Sequence, residues 1–309
     1  MNEPDRNEPD RKVKRISAAQ WTLVAIIVAC AVGSLVYRLL VHQHLEQTAA
    51  LFIGIPSVLA IVVALQPAAQ TVTGTIIKGV TLALLIVAPL LGEGFICILF
   101  AAPLFYLVGI IVGLVADRAV RNRSTRLSCV AVVLLPMCLE GVIPALTFER
   151  TQVLSVRKVV PASADAVRQM LSQPPRIELL LPAPLRIGFP RPIAASGGGL
   201  TPGSVRTIRF SGAEGKPPGD LLMRISESRP GYVRFSAVKD GSKLAHWIAW
   251  DSSEVEWMPI DATHTAVTWR IQFDRELDPA WYFVPLERAA VHEAAAYLID
   301  ANATPAARP

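Results

Sequence analysis

Five long apolar runs in the first half of the chain constrain its fold more than any other feature. Residues 21–41, 49–65, 72–91, 95–116 and 127–147 each have the length and character of a helix crossing a hydrocarbon core, which takes about 17–25 mostly apolar residues. A helix of a water-soluble core keeps a polar stripe at every third or fourth position, and residues 24–36 and 96–115 carry none. The expectation is a membrane region of five spanning helices over residues 21–148. Composition agrees, with 52% of the 309 residues hydrophobic and 18% charged, against about 25% charged in ordinary soluble domains. Cys30, Cys97, Cys129 and Cys138 all lie inside the apolar runs, where thiols pack as small hydrophobes rather than as a disulfide or metal framework.

Charge sets the orientation. Residues 1–20 open with a polar tandem, Asn2-Glu3-Pro4-Asp5-Arg6 and then Asn7-Glu8-Pro9-Asp10-Arg11, too poor in apolar surface to offset the entropy of ordering and so expected to be disordered. Arg11, Lys12, Lys14 and Arg15 precede the first run, and Arg118, Arg121, Arg123 and Arg126 follow the fourth. Loops 42–47 and 92–94 hold no Lys or Arg. Basic loops stay cytoplasmic, so the N-terminus is expected in the cytoplasm of a multi-pass cell-membrane protein, with everything after residue 148 extracytoplasmic. A cleaved signal peptide fits less well, because the first run exceeds a usual h-region. Two ionisable residues fall inside runs. Lys78 is near enough to the inner end of its helix to snorkel, whereas Glu140, between Pro136 and Pro144, is deeper, as a neutral carboxyl or a contact between helices.

At Glu149 the character changes. From there to Pro309 stand 19 Lys plus Arg against 17 Asp plus Glu, a near balance that lacks the basic footprint of a nucleic-acid partner. Some 160 residues suffice for one core. The pattern reads as a strand over 153–160, a short helix opened by Ala162-Ser163-Ala164-Asp165 and running to about Leu171, and an irregular segment broken by Pro174, Pro175, Pro182, Pro184, Pro190 and Pro192. Strands follow over 204–211, 220–227, 232–238, 243–258 and 265–273, then a helix over 279–301 with Asp278 as N-cap and Pro279 first. Residues 302–309 read as a disordered tail.

This order, with the opening SVRKVVPASADAVRQML (155–171), the strand VTWRIQF (267–273) and the closing WYFVPLERAAVHEAAAYLI (281–299), resembles the START-like or SRPBCC superfamily of polyketide cyclases and lipid-transfer proteins, over about residues 149–301. The resemblance implies an α+β helix-grip fold, a curved antiparallel sheet around a long C-terminal helix with an apolar cavity between them. It does not fix an activity, because the superfamily includes carriers and enzymes.

Alternation says which side chains face such a cavity. If Asp240-Gly241 is a two-residue hairpin turn, Phe235 pairs with His246 and Val233 with Ile248, so that Phe235, His246 and Ile248 share a face. Arg234 then lies on the other face, with Trp247 across from it. A three-residue loop at Arg229-Pro230-Gly231 brings Ile225 opposite Phe235. Trp269 and Ile271 line a second apolar strand, and Val291 and Ala295 face inward from an alanine-rich helix kinked at Pro285. Counting by twos from His246 puts Glu254 and Glu256 inside, where two unpaired carboxylates cost several kcal/mol; a bulge at 251–253 moves Val255 and Trp257 inside instead. Without the bulge, His246, Glu254 and Glu256 form an acid/base cluster. His264 and His292 read as turn and rim residues. No metal-ligand spacing or phosphate loop occurs, Gly197-Gly198-Gly199 included, and no cofactor is implied.

Three functions remain open on the sequence. One is a binding module for a hydrophobic, lipid-like or polycyclic small molecule beside the lipid bilayer, with Phe235, His246, Ile248, Trp269, Ile271, Val291 and Ala295 as its lining. Another is a cyclase- or hydrolase-type enzyme using His246 with a carboxylate. The third is a structural or sensory domain whose cavity is filled by side chains. The sequence does not set the oligomeric state.

Overall fold

The computed structural model describes residues 17–42, 53–91, 95–122, 143, 147–186, 188–212 and 217–305, and the chain divides into two compact units, Met1–Glu93 and Gly94–Pro309. In the first, helices α1 (Ala18–His42), α2 (Ile55–Leu65) and α3 (Val72–Leu91) meet around Ile27, Ala60, Ala64 and Leu82. Ala60 and Ala64 are four apart and so share one face of α2; their small side chains allow close helix approach. The last carbonyls of a helix have no partner within it. Those of α2 are met by Gln20, whose Nε2 donates to the oxygens of Ala64 and Gln66 at 3.1 and 3.0 Å, and by Lys78, whose Nζ donates to Gln66 O at 2.9 Å. The Lys78 ammonium thus reaches the end of α2.

The expectation of five spans is reduced. Among the described residues two stretches, Ala18–Val36 of α1 and Ile98–Arg121 of α4 (Phe95–Asn122), are long and apolar enough to cross a membrane, and Ile55–Leu65 and Val72–Val87 are shorter apolar stretches. Eleven residues of α2 rise only about 16 Å at 1.5 Å each. The basic tail, most of the fifth run and Glu140 lie outside the described residues.

The second unit holds α4 and a seven-stranded antiparallel sheet in the order β1-β7-β6-β5-β4-β3-β2. Its strands are β1 (Thr151–Val160), β2 (Pro192–Ser196), β3 (Val205–Phe210), β4 (Gly219–Arg229), β5 (Tyr232–Asp240), β6 (Ile248–Pro259) and β7 (Thr265–Arg275). Between β1 and β2 lies α5 (Ala164–Leu171), started by Ser163, whose Oγ accepts from Ala166 N at 3.3 Å as an N-cap does. The last element, α6 (Ala280–Ala303), packs on β1 and β7, the grip the resemblance implies. Period-two alternation builds the floor: Val267, Trp269, Ile271 and Phe273 are all buried on one face of β7, each such side chain contributing about 1.5–3 kcal/mol.

Several expectations fail for local reasons. Asp240-Gly241 is not a two-residue hairpin turn: Ser242 Oγ accepts from Leu244 N at 3.2 Å and opens a 3-10 helix, Lys243–His246, so β6 begins only at Ile248. Phe235 therefore pairs with Ser253, and Val233 with Val255, while Trp247 is buried instead of facing outward across from Arg234. The loop between β4 and β5 has two residues, Pro230 and Gly231, since Arg229 pairs with Tyr232; Ile225 still meets Phe235 because the register shifts between Ile225 and Glu227. Gly231, at φ +74°, takes the left-handed conformation that favours glycine.

The bulge at 251–253 is present, as a register shift between Trp250 and Ser252 against Phe273 and Gln272, and Val255 and Trp257 are buried. In the proline-rich segment, a 3-10 turn (Ala183–Arg186) and the edge strand β2 form, with Pro192 first in its strand, where the missing N–H does least harm. Pro279, not Asp278, is the N-cap of α6 and makes no side-chain cap; the Asp278 carboxylate accepts instead from Arg275. Nor does a tail begin at 302, for Asn302 and Ala303 are buried. Arg176 extends the helix: its N–H and Nη2 donate to Ala301 O and Asp300 O at 3.0 and 2.8 Å, and Nη2 also to Thr304 O.

Candidate functional site

Because α6 rests on the β1–β7 end of the sheet, a gap opens between it and the middle strands. It forms a cavity of about 170 Å³. Where one water takes about 10–15 Å³ of such space, that is room on the order of ten waters, far more than a packing defect. Strands β3 to β7 supply Ile208, Met223, Phe235, Ile248, Trp269 and Ile271 among others, α6 supplies Ala290, Val291, Ala294 and Leu298, and the segment after α5 closes the rim with Ile177, Leu185 and Phe189.

Of the residues expected at the site, Phe235, Ile248, Trp269, Ile271 and Val291 line this space. His246 does not: the 3-10 turn carries it out to solvent. Ala295 does not either, being fully buried in the core with Val291, Ile299 and Ala303. These four are spaced by four along α6, as one stripe of a helix face. The neighbouring stripe, Ala290, Ala294, Leu298 and Asn302, faces the cavity. The acid/base cluster is not assembled. With the bulge, Glu254 turns to the face opposite the core, between Arg234 Nη1 at 3.6 Å and Arg270 Nη1 at 3.1 Å; Glu256, two residues on, takes the same side, half-buried. His264 and His292 are exposed. Among the described residues no three His, Cys, Asp or Glu side chains gather as a metal site needs.

The cavity's polar groups are few. Ser253 Oγ, turned inward by the bulge, accepts from Trp269 Nε1 at 2.6 Å. Tyr297 OH donates to Leu179 O at 3.4 Å. Trp250 Nε1 is buried with no partner. Arg206 is 5% exposed, with its guanidinium carbon 4.8 Å from the centre of the Phe235 ring and its Nη2 donating to Leu171 O at the end of α5; burial pushes its pKa down to about 10, so it is charged at neutral pH. The alternation expected of β3 held the signal for it, since Arg206 stands in phase with Ile208 and Phe210. The three glycines at 197–199 serve close packing: a Cβ on Gly198 would stand 2.8 Å from Ser172 O.

The rim reaches α4. Phe189 packs at 5.5 Å, edge to face, on Trp247 and at 6.0 Å on Phe100 of α4, and Tyr282 OH donates to Phe100 O at 2.7 Å.

No family model matches the chain, and no curated protein matches it significantly. Among solved structures it is similar to a norcoclaurine synthase from Thalictrum flavum (16% identity, 50% of this chain and 92% of that one, TM-score 0.35). It is also similar to a START superfamily protein from Mycobacterium smegmatis (13%, 48% and 92%, TM-score 0.33) and to a major latex-like protein from Panax ginseng (15%, 49% and 99%, TM-score 0.29).

Proposed function

We propose that the chain is a membrane-attached helix-grip protein that holds a hydrophobic small molecule in the cavity beneath α6, on the extracytoplasmic side of the cell membrane. The cavity carries the reading: a concave, mostly apolar space with a handful of polar groups is the form of a small-molecule site. Titrating the full chain in neutral detergent with Nile red should give saturable binding at one dye per chain. Linear partition into the micelle, with no saturation, would sink the reading.

Two observations support the membrane arrangement. Trp21, Ile26 and Val32 of α1 and Phe105, Ile110 and Leu114 of α4 are exposed, and apolar surface of this extent is rare against water. The domain meets α4 at Phe100, near one end, whereas Arg118 and Arg121 stand at the other, which the positive-inside rule assigns to the cytoplasm. The fifth apolar run expected from the sequence, 127–147, counted as a span, would make the number of spans odd. A reporter fused at Met1 should therefore respond as cytoplasmic and one after Pro309 as extracytoplasmic; both on one side would overturn the topology.

A further inference from the structure

Among the described residues Arg206 is the only charged side chain lining the cavity, and no carboxylate among them pairs with it. Its Nη2 closes one orphan carbonyl of α5, and the Phe235 ring lies beneath the cation. These contacts leave a positive charge in an apolar wall with its Nε, buried, lacking any acceptor. The other buried, unpartnered polar atom of the lining is also a donor, Trp250 Nε1. Lining side-chain acceptors are few, and Ser253 Oγ is already engaged by Trp269. A site whose unmet groups are donors, one of them on a cation, is matched by a ligand that brings an acceptor and a negative charge. A buried charge left without a counter-charge is strongly unfavourable, and an arginine fork bonds a carboxylate through charge-assisted hydrogen bonds.

Building on the function proposed above, we propose that the ligand is an amphipathic acid, with an apolar body filling the space under α6 and a carboxylate paired to Arg206. The apolar body accounts for the walls formed by Ile208, Met223 and Leu298, and the acid for the one cation among them. A neutral lipid or hydrocarbon fills the same walls but leaves Arg206 unpaired.

The test compares two probes that differ only in charge, cis-parinaric acid and its methyl ester, on the full chain in neutral detergent above the acid's pKa. Each is measured by displacement of Nile red, for the wild type and for Arg206→Met. The micelle is common to both proteins, so its preference for either probe cancels from the ratio of acid to ester affinity. That ratio should fall at least tenfold from wild type to Arg206→Met, with Arg206→Lys in between. An unchanged ratio, with both probes binding, would overturn the anionic assignment and leave the hydrophobic cavity standing. If neither probe nor dye binds the folded wild type, both proposals fail. Should Arg206→Met not fold, Arg206→Lys and the salt dependence of acid binding in the wild type decide: affinity for the acid that falls with salt no more than that for the ester counts against the pairing.

Discussion

Ala294→Trp should weaken Nile red binding by at least tenfold while leaving the fold intact, and Ala295→Trp, one residue later, should instead destabilise the domain. Ala294 faces the cavity, so an indole there occupies space otherwise open to the ligand. Ala295 is fully buried between α6 and the sheet, and added volume in a closed core displaces its neighbours. Overpacking costs about 1–3 kcal/mol, occasionally more, and the step from methyl to indole is among the largest available. For a domain of this size 3 kcal/mol corresponds to roughly 6–12 °C in melting temperature. Dye titration and thermal melts of the two variants check the pair. Equal loss of stability in both would mean that α6 is rotated from the position described, and unchanged binding in folded Ala294→Trp would place the ligand elsewhere.

Glu287 should make the domain more stable in mild acid than at pH 8. It lies on α6 at 5% exposure, with neither carboxylate oxygen in a well-formed side-chain hydrogen bond. Burial is the main cause that pushes its pKa up to about 7; the Leu277 N–H and then Arg275 pull it down, and Asp278 and Glu276 push it further up. A raised carboxyl pKa means that the folded state holds its proton more tightly than the unfolded chain. The resulting stability is fully present below about 4.5, the ordinary value, and is lost as pH rises through about 7. At about 1.36 kcal/mol per unit the loss is on the order of 3 kcal/mol. Glu287→Gln keeps the shape without the charge, so denaturant melts at pH 5 and pH 8 should differ less for the variant than for the wild type, with the variant more stable at pH 8. Parallel pH profiles for the two proteins would rule out the buried carboxylate as the source.

The sequence made the sheet and its gripping helix legible because their signals are local: alternation in β7 and the run of helix formers after Pro279. The bulge could be foreseen from cost alone, since only a one-residue phase shift keeps Glu254 and Glu256 out of the core. The turn after β5 could not. Asp-Gly is a strong hairpin signal, but Ser242 caps a 3-10 turn in competition with it, and that choice moved His246 from the cavity wall to solvent and brought Ser253 opposite Phe235. On α6 the alanines from 289 to 296 read alike, because composition does not reveal which of two adjacent helical stripes meets the sheet. Arg206 was visible as an arginine in phase with apolar neighbours, yet an edge strand with one polar face offers the same pattern; only the three-dimensional placement of Leu171 and Phe235 distinguishes them.

The contact of Tyr282 and Phe189 with Phe100 has a consequence for how a ligand arrives. In the proposed arrangement the rim of the cavity is pinned to a membrane helix rather than hung from a flexible tether, so its height above the lipid is set by α4. A molecule already dissolved in the outer leaflet then needs only to diffuse laterally until it meets α4. Its search is two-dimensional, and the relevant concentration is its mole fraction in the lipid rather than its vanishing solubility in water.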